Sequence, residues 1–205
     1  MYNKKVALIG IGGAGKNFLD RASQINEGQQ FGKYLLESIF AKTIDKLDET
    51  PYDKVCYYRA DGDFYTKESV EAINSICDEM DNYDTVIVEK GLGSDRDIIL
   101  QLVVKKLMDM GITPIVVASL PFRFEGKTRN DKARAEAQKL RELMKDALIF
   151  DNEILKREVP GNTSIGNAMF IMDKAIWMSI ADYVSGNNRK TLSDYIREVR
   201  SNNEK

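Results

Sequence analysis

Short apolar runs of strand length alternate along this chain with segments in which apolar residues recur every three to four positions. Runs near Lys5–Gly10, Lys54–Arg59, Thr85–Glu89, Thr113–Ser119 and Ala147–Phe150 read as strands. Segments near Ala14–Gln24, Gly32–Asp48, Lys67–Asp81, Ile98–Met110 and Asn130–Lys145 read as helices. In the fourth of these, Ile98, Ile99, Leu102, Val103 and Leu107 form one apolar stripe that a sheet would cover. Such alternation predicts an α/β fold, a three-layer Rossmann-like parallel sheet with helices on both faces. Beyond the last strand, Asn162 or Ser164 can cap a long central helix near residues 163–185. Its sheet-facing residues would be Ile165, Ala168, Ile171, Met172, Ala175 and Met178. Gly186-Asn187-Asn188 ends it, a short C-terminal helix starts near Leu192, and residues 201–205 should fray. No repeat, low-complexity tract or linker interrupts the pattern, so residues 1–205 read as a single domain.

Composition adds exclusions. The 205 residues carry 30 Lys+Arg against 32 Asp+Glu with 43% hydrophobic residues, the profile of a globular chain that can bury a full core. A net charge of −2 leaves no electrostatic footprint for nucleic acid, and the basic stretch Arg123–Lys145 reads as the solvated side of a helix. No apolar window approaches the roughly 18 to 20 residues of a membrane helix, and no signal core follows Met1, so no membrane insertion and a cytoplasmic location are expected. Histidine is absent, which removes the commonest general base and zinc ligand; any metal would be a hard ion such as Mg2+ on carboxylates or phosphate. Cys56 and Cys77 lack ligand spacing and read as reduced core thiols.

The richest segment is Val6-Ala7-Leu8-Ile9-Gly10-Ile11-Gly12-Gly13-Ala14-Gly15-Lys16-Asn17, a strand that runs through glycines into a helix. Glycines admit a phosphate close to the backbone, and the helix start offers unpaired N–H groups and a positive dipole end, so an anion site is expected here. As a dinucleotide fingerprint, Gly10-x-Gly12-x-x-Gly15 fits, but the segment where the second strand should carry its acid reads as helix. As a P-loop, Gly10-x4-Gly15-Lys16 fits, but Asn17 replaces the hydroxyl residue that binds magnesium.

Downstream residues supply a third reading. The run Ile112-Thr113-Pro114-Ile115-Val116-Val117-Ala118-Ser119-Leu120-Pro121-Phe122-Arg123-Phe124-Glu125-Gly126-Lys127-Thr128-Arg129 strongly resembles the strand and loop P-F-x-F-E-G-K-x-R of the FtsZ/tubulin family. The first loop is similar to that family's G-x-G-G-x-G-x-N, which makes Asn17 an expected residue. Asp151-Asn152-Glu153-Ile154-Leu155-Lys156 is similar to its N-D-K-L-L-K, and the continuation aligns Asp173 with its guanine-reading aspartate. The resemblance covers roughly Lys5 to Val184. It implies an FtsZ/tubulin-type nucleotide-binding domain with GTP or GDP as cofactor and Mg2+ as an accompanying ion. The phosphates would meet Gly12, Gly13, Ala14, Gly15, Lys16 and Asn17 on one side and Gly91, Gly93 and Ser94 on the other. Glu125 and Arg129 would sit at the ribose and Asp173 at the guanine edge. A carboxylate can accept from both guanine imino and amino groups, a pair adenine does not offer.

The sequence also departs from the family. Its second phosphate loop, G-G-G-T-G-T-G, corresponds to Gly91-Leu92-Gly93-Ser94-Asp95-Arg96-Asp97, one residue shorter and carrying two carboxylates. Those charges repel a triphosphate unless Mg2+ or Arg96 intervenes, so weakened or altered GTP binding is expected. The region from Asn17 to Asp61 is longer than in the family and Asp61–Gly91 shorter. The sequence ends where the family's second domain begins. Its catalytic N-x-D-x-x-D appears only as Thr191 and Asp194, so Asp194 is the one weak catalytic candidate and little or no GTP hydrolysis is expected. The leading expectation is a protein that acts through self-assembly, as a dimer or filament, or through another protein. The contact face would be apolar residues of the long helix near Trp177: Met169, Phe170, Ile176, Trp177, Ile180 and Tyr183. Two alternatives stay open. One is an active NTPase using Lys16 with Mg2+ on Asp95 or Asp97; the other is a dinucleotide-binding Rossmann protein.

Overall fold

The computed structural model describes residues 4–26, 29–38, 51–58, 60–61, 64–94, 98–187 and 190–203. In chain order the described elements are β1 (Val6–Ile11), α1 (Gly12–Ile25), β2 (Phe31–Ser38), β3 (Lys54–Tyr58), β4 (Ala60–Asp61), β5 (Phe64–Tyr65), α2 (Lys67–Cys77), β6 (Thr85–Gly91), α3 (Ile98–Asp109), β7 (Ile115–Leu120), α4 (Lys127–Leu143), β8 (Leu148–Asp151), α5 (Leu155–Glu158), α6 (Ile165–Val184) and α7 (Leu192–Asn203). Six strands form a sheet in the order β3-β2-β1-β6-β7-β8, and β4 and β5 form a separate antiparallel pair. The pairs β1–β2, β1–β6, β2–β3 and β6–β7 are all parallel. By internal packing the chain divides into two compact units, Tyr2–Ile149 and Phe150–Lys205.

Within the first unit, both sheet faces are covered. Ala7, Ile9 and Ile11 of β1 join Tyr34, Leu36, Val86, Val88, Val116 and Ala118 in one core with residues of α2, α3 and α4. On the opposite face α1 lies so close that a Cβ on Gly10 would come within 2.9 Å of Leu19 Cδ1. Strands buried on both faces read as continuous apolar runs rather than alternating ones, as β1 and the Val86–Val88 part of β6 do.

That property corrects the segment expected to be a helix over Gly32–Asp48. Phe31–Ser38 is a strand, β2, in register with β1 from Val6↔Phe31 to Ile11↔Leu36; residues 39–48 lie outside the described residues. Tyr34, Leu35 and Leu36 are all buried because β2 has helices and strands on every side, and this continuous run satisfied helical spacing by coincidence. The objection to a dinucleotide site, that no second strand could present an acid, falls with it: β2 ends in Glu37-Ser38.

Smaller differences concern boundaries. Thr66 caps α2, accepting from Ser69 N–H, and the helix ends at Cys77, before a single tight turn over Met80–Asn82. The buried stripe of α3 is Ile99, Leu100, Val103, Val104 and Leu107, with Ile98 exposed. In the second unit, Ser164 caps α6 by accepting from Asn167 N–H at 3.2 Å. Helix α7 packs along α6, and Tyr195 Oη donates to Asp182 at 2.7 Å. Arg197 makes a two-pronged contact with Glu158, at 2.9 and 3.2 Å, which ties α7 to α5.

Candidate functional site

Strand β1 lies between β2 and β6; the chain leaves the carboxyl end of β1 through α1 toward β2, and that of β6 through α3 toward β7, in the opposite direction across the sheet. Such switch points open the crevice where sheets of this kind hold ligands. The glycines around it divide by task. Gly12 has φ +67°, a turn only glycine makes without strain. Gly10 and Gly15 serve packing: a Cβ on Gly15 would lie 2.5 Å from the Gly10 carbonyl carbon and 3.1 Å from Glu89 O. Gly13 is exposed, and a Cβ there would meet nothing within 4 Å. Helix α1 opens without a side-chain cap and without an acidic residue in its first turn. Its first N–H groups and dipole end therefore have neither a cap nor an acid from the helix's own first turn, an arrangement suited to holding an anion.

Lys16 is turned along its own helix. Its Nζ pairs with Asp20 Oδ2 at 2.7 Å and lies 5.8 Å from the centre of the Tyr52 ring, while Tyr52 Oη donates to the other Asp20 oxygen. The hydrogen bond to Asp20 raises the Lys16 pKa against a smaller opposing effect of burial. Burial alone would raise the Asp20 carboxyl, but the hydrogen bonds from Lys16 and Tyr52 outweigh it and hold it below its ordinary range. Asn17 is exposed on the same helix.

The second loop meets the first directly, since a Cβ on Gly91 would sit 2.9 Å from Ala14 Cβ. Gly91-Leu92-Gly93-Ser94 is drawn toward the protein interior. Leu92 N–H donates to Ser119 O at 2.8 Å, and Gly93 N–H donates to Glu136 Oε2 at 2.9 Å. Glu136 Oε1 accepts from Lys90 Nζ at 2.7 Å, and Lys90 also donates to Gly91 O at 3.3 Å. The Lys90 and Glu136 side chains are only 3% and 1% exposed. Gly93 has φ +83°, and a Cβ there would collide with Arg129 O at 2.4 Å.

After β7, Glu125 and Arg129 are together, Oε2 to NH1 at 2.8 Å, and Glu125 Oε1 accepts Phe122 N–H at 2.8 Å. Asn130 Nδ2 donates to Phe122 O and Gly126 O at 3.0 and 2.9 Å, which fixes the loop's entry into α4. Phe122 and Phe124 stack with centroids 5.0 Å apart, and Phe124 is 68% exposed.

In the second unit, Asp173 is a buried residue of α6 rather than a solvent-facing one. Asp194 Oδ2 accepts from Thr191 N–H and Oγ1 at 2.8 and 2.7 Å, so this carboxylate caps α7. Of the apolar contact face expected near Trp177, half is buried and half, Met169, Phe170 and Tyr183, is partly exposed. Ile176, Trp177 and Ile180 are buried within the chain, and α7 contributes the buried Tyr195, Ile196 and Val199. Asp95, Arg96 and Asp97 lie outside the described residues, and among the described residues no group of three acidic or sulfur ligands could hold a metal ion.

Sequence reasoning brought the two glycine loops, Glu125 and Arg129 forward and missed Lys90, Glu136, Asp20 and Tyr52. Glu136 had a signal: it stands in the apolar stripe Ala133, Ala137, Leu140 of α4, where a charged residue has to be paired.

No protein-family model matches the chain. The cell division protein FtsZ of Aquifex aeolicus (strain VF5) is 25% identical over 187 residues, covering 88% of this chain and 51% of its own length. FtsZ of Mycoplasmopsis pulmonis (strain UAB CTIP) is 22% identical over 187 residues, covering 78% of this chain and 47% of its own. Among solved structures, a point mutant of M. jannaschii FtsZ superposes with TM-score 0.64 at 21% identity, over 92% of this chain and 58% of that one. An empty M. jannaschii FtsZ dimer gives TM-score 0.62 at 22% identity, over 92% and 56%. The chain spans about half the length of the curated relatives it matches.

Proposed function

We propose that this chain, an FtsZ/tubulin-like protein, seats a guanine nucleotide weakly at the β1–α1 loop and acts in the cytoplasm by assembling with itself or with a protein partner, with little or no GTP hydrolysis. The observation that carries this reading is the start of α1, uncapped, without an acid in its own first turn and open at Gly13. A phosphate there would satisfy orphan N–H groups and complement the helix dipole. In the resemblance, Asn17 joins it, Glu125 and Arg129 take the ribose, and Asp173 takes the guanine edge.

Weakness follows from the facing loop. The N–H groups of Leu92 and Gly93 are committed to protein acceptors, and the sequence next places Asp95 and Asp97, whose charge opposes phosphate unless Mg2+ is bound. Lys16, the cation a P-loop enzyme would use, is held by Asp20, which disfavours the active-NTPase reading. No described helix is long and apolar enough to cross a membrane.

One observation favours a second reading. Strand β2 runs beside β1 and ends in Glu37-Ser38, so an acid stands near the position where dinucleotide sites bind the ribose.

Thermal unfolding in the presence of GDP, GTP, ATP and NAD, with and without Mg2+, separates the two. A ligand at about 100 times its Kd stabilises the native state by about 2.7 kcal/mol. Guanine nucleotides should raise Tm, ATP and NAD should not, and Asp173→Ala should erase the difference. Phosphate release should stay near background while sedimentation depends on protein concentration. A shift with NAD alone supports the second reading; no shift with any of the four removes the seat.

A further inference from the structure

Lys90 and Glu136 are charged residues in the interior of the first unit, and both are spent on one short loop. Glu136 reaches from α4 under the loop that follows β6, takes the Gly93 N–H on one carboxylate oxygen and the Lys90 ammonium on the other. Lys90 returns to the loop through Gly91 O, and Leu92 N–H is bound by Ser119 O of β7. Helix α4 approaches Gly93 so closely that even a methyl would overlap Arg129 O. The carboxylate thus stands on the inner side of the loop and accepts an N–H that a loop at a switch point could otherwise present to a bound anion.

We infer that Glu136, fixed by Lys90, is a built-in anion that holds the Gly91–Ser94 segment in its inward form, and that it thereby makes the site indifferent to the terminal phosphate of a nucleotide. A nucleoside diphosphate then binds at least as tightly as the corresponding triphosphate. This rests on the nucleotide reading above, and it adds the residues that set the phosphate count. The logic is competition for one donor: the Gly93 N–H serves either the internal carboxylate or an external phosphate. The charge-assisted internal bond is already formed and buried. The α1 start remains to hold the inner phosphates, and the outermost finds no loop N–H from Leu92 or Gly93. Lys90 and Glu136 are positioning residues, since neither reaches the crevice.

The test is calorimetric titration of GMP, GDP, GTP and inorganic pyrophosphate into the wild-type chain and two double variants. Lys90→Met with Glu136→Gln keeps a side-chain oxygen to accept the Gly93 N–H and removes both charges. Lys90→Met with Glu136→Met removes the acceptor as well, at similar volume, so neither variant leaves a lone buried charge. In the wild type the Kd values for GDP and GTP should agree within about threefold or favour GDP. The Gln variant should keep that ratio. The Met variant should shift it toward GTP by about tenfold or more, because the freed N–H gains a charged acceptor only in the triphosphate complex. A wild-type preference for GTP above about tenfold overturns the inference, as does an unchanged ratio in the folded Met variant. If none of the four ligands binds any of the proteins, the nucleotide reading fails first and takes this inference with it.

Discussion

The two neighbouring glycines at the start of α1 should respond to the same substitution with opposite sign. A methyl added at Gly15 would sit 2.5 Å from the Gly10 carbonyl carbon and 2.7 Å from Gly10 Cα, against an ordinary contact of 3.4 Å or more. These are backbone atoms of a central strand and cannot turn aside, so α1 has to withdraw from β1 by about 1 Å. Phe18, Leu19 and Ala22, all buried on the inner side of α1, would lose part of their contact with it. Overpacking of this kind costs about 1–3 kcal/mol, and the better helix propensity of alanine returns at most about 1 kcal/mol. Gly15→Ala should therefore destabilise by about 1–2 kcal/mol net, a fall in Tm of about 2–8 °C for a chain of this size. Gly13→Ala meets no atom within 4 Å and should leave the unfolding free energy unchanged or raise it by a few tenths to about 1 kcal/mol. Urea and thermal unfolding followed by far-ultraviolet circular dichroism read both. The Gly13 methyl would also stand in the open space at the helix start, so the stabilisation given by GDP should fall in that variant although its intrinsic stability does not. Equal stability of the two variants would refute the division of the glycines into packing and ligand roles.

Three other outcomes are expected. Glu136→Ala alone should cost about 3–5 kcal/mol in urea unfolding because it strands a buried ammonium, whereas Lys90→Met with Glu136→Met should stay within about 1 kcal/mol of wild type. Burial pushes the Cys77 thiol from its ordinary 9.0 up to about 12. The folded protein keeps it protonated while the unfolded chain ionises above pH 9, so its contribution is intact below that pH and lost as pH rises toward 12. Between pH 8 and 10 the loss is about 1.3 kcal/mol, and a Cys77→Ala variant measured beside wild type should lack it. Asp20 titrates below its ordinary 3.8, so its pair with Lys16 contributes above that pH and fades as pH falls through the lowered value. Both side chains are about one-third exposed, so Asp20→Asn should flatten the acid limb of a stability profile by well under 1 kcal/mol.

The sheet was legible because its central strands are buried on both sides, and an unbroken apolar run bounded by glycine or polar residues has few other uses. The same feature concealed β2. Phe31, Tyr34 and Leu35 fit a helical stripe as well as a strand, and only the neighbours β1 and β3, distant in sequence, select the extended form. Helix α3 shows the reverse weakness: its type was plain, but its buried stripe is rotated so that Ile98 is outside and Leu100 inside. The apolar surplus of α6 was real, but Ile176, Trp177 and Ile180 are covered from within the chain. Trp177 is 3% exposed, so acrylamide should quench it slowly even in dilute monomer.

The site divides along the same line between local and distant requirements. What Gly12 and Gly13 do is set by the turn and helix start they belong to, and a reader of the sequence can reason about both. What the Gly91–Ser94 loop does is set by Glu136, 43 residues beyond Gly93, and by Lys90, a buried residue of β6. The sequence showed that the loop keeps Gly91 and Gly93 but not the family's threonines and remaining glycines, and the explanation nearest to hand was repulsion by Asp95 and Asp97. The structure offers a different cause. Two loop N–H groups already have internal acceptors, which removes donors before any repulsion acts. The causes separate by ionic strength, because repulsion between solvated charges is screened over about 10 Å at 0.1 M salt, whereas a buried hydrogen bond is not. If the GDP-to-GTP ratio of affinities stays constant from low to high salt, with Mg2+ excluded, the internal acceptor is the cause; if GTP gains steadily with salt, the carboxylates are.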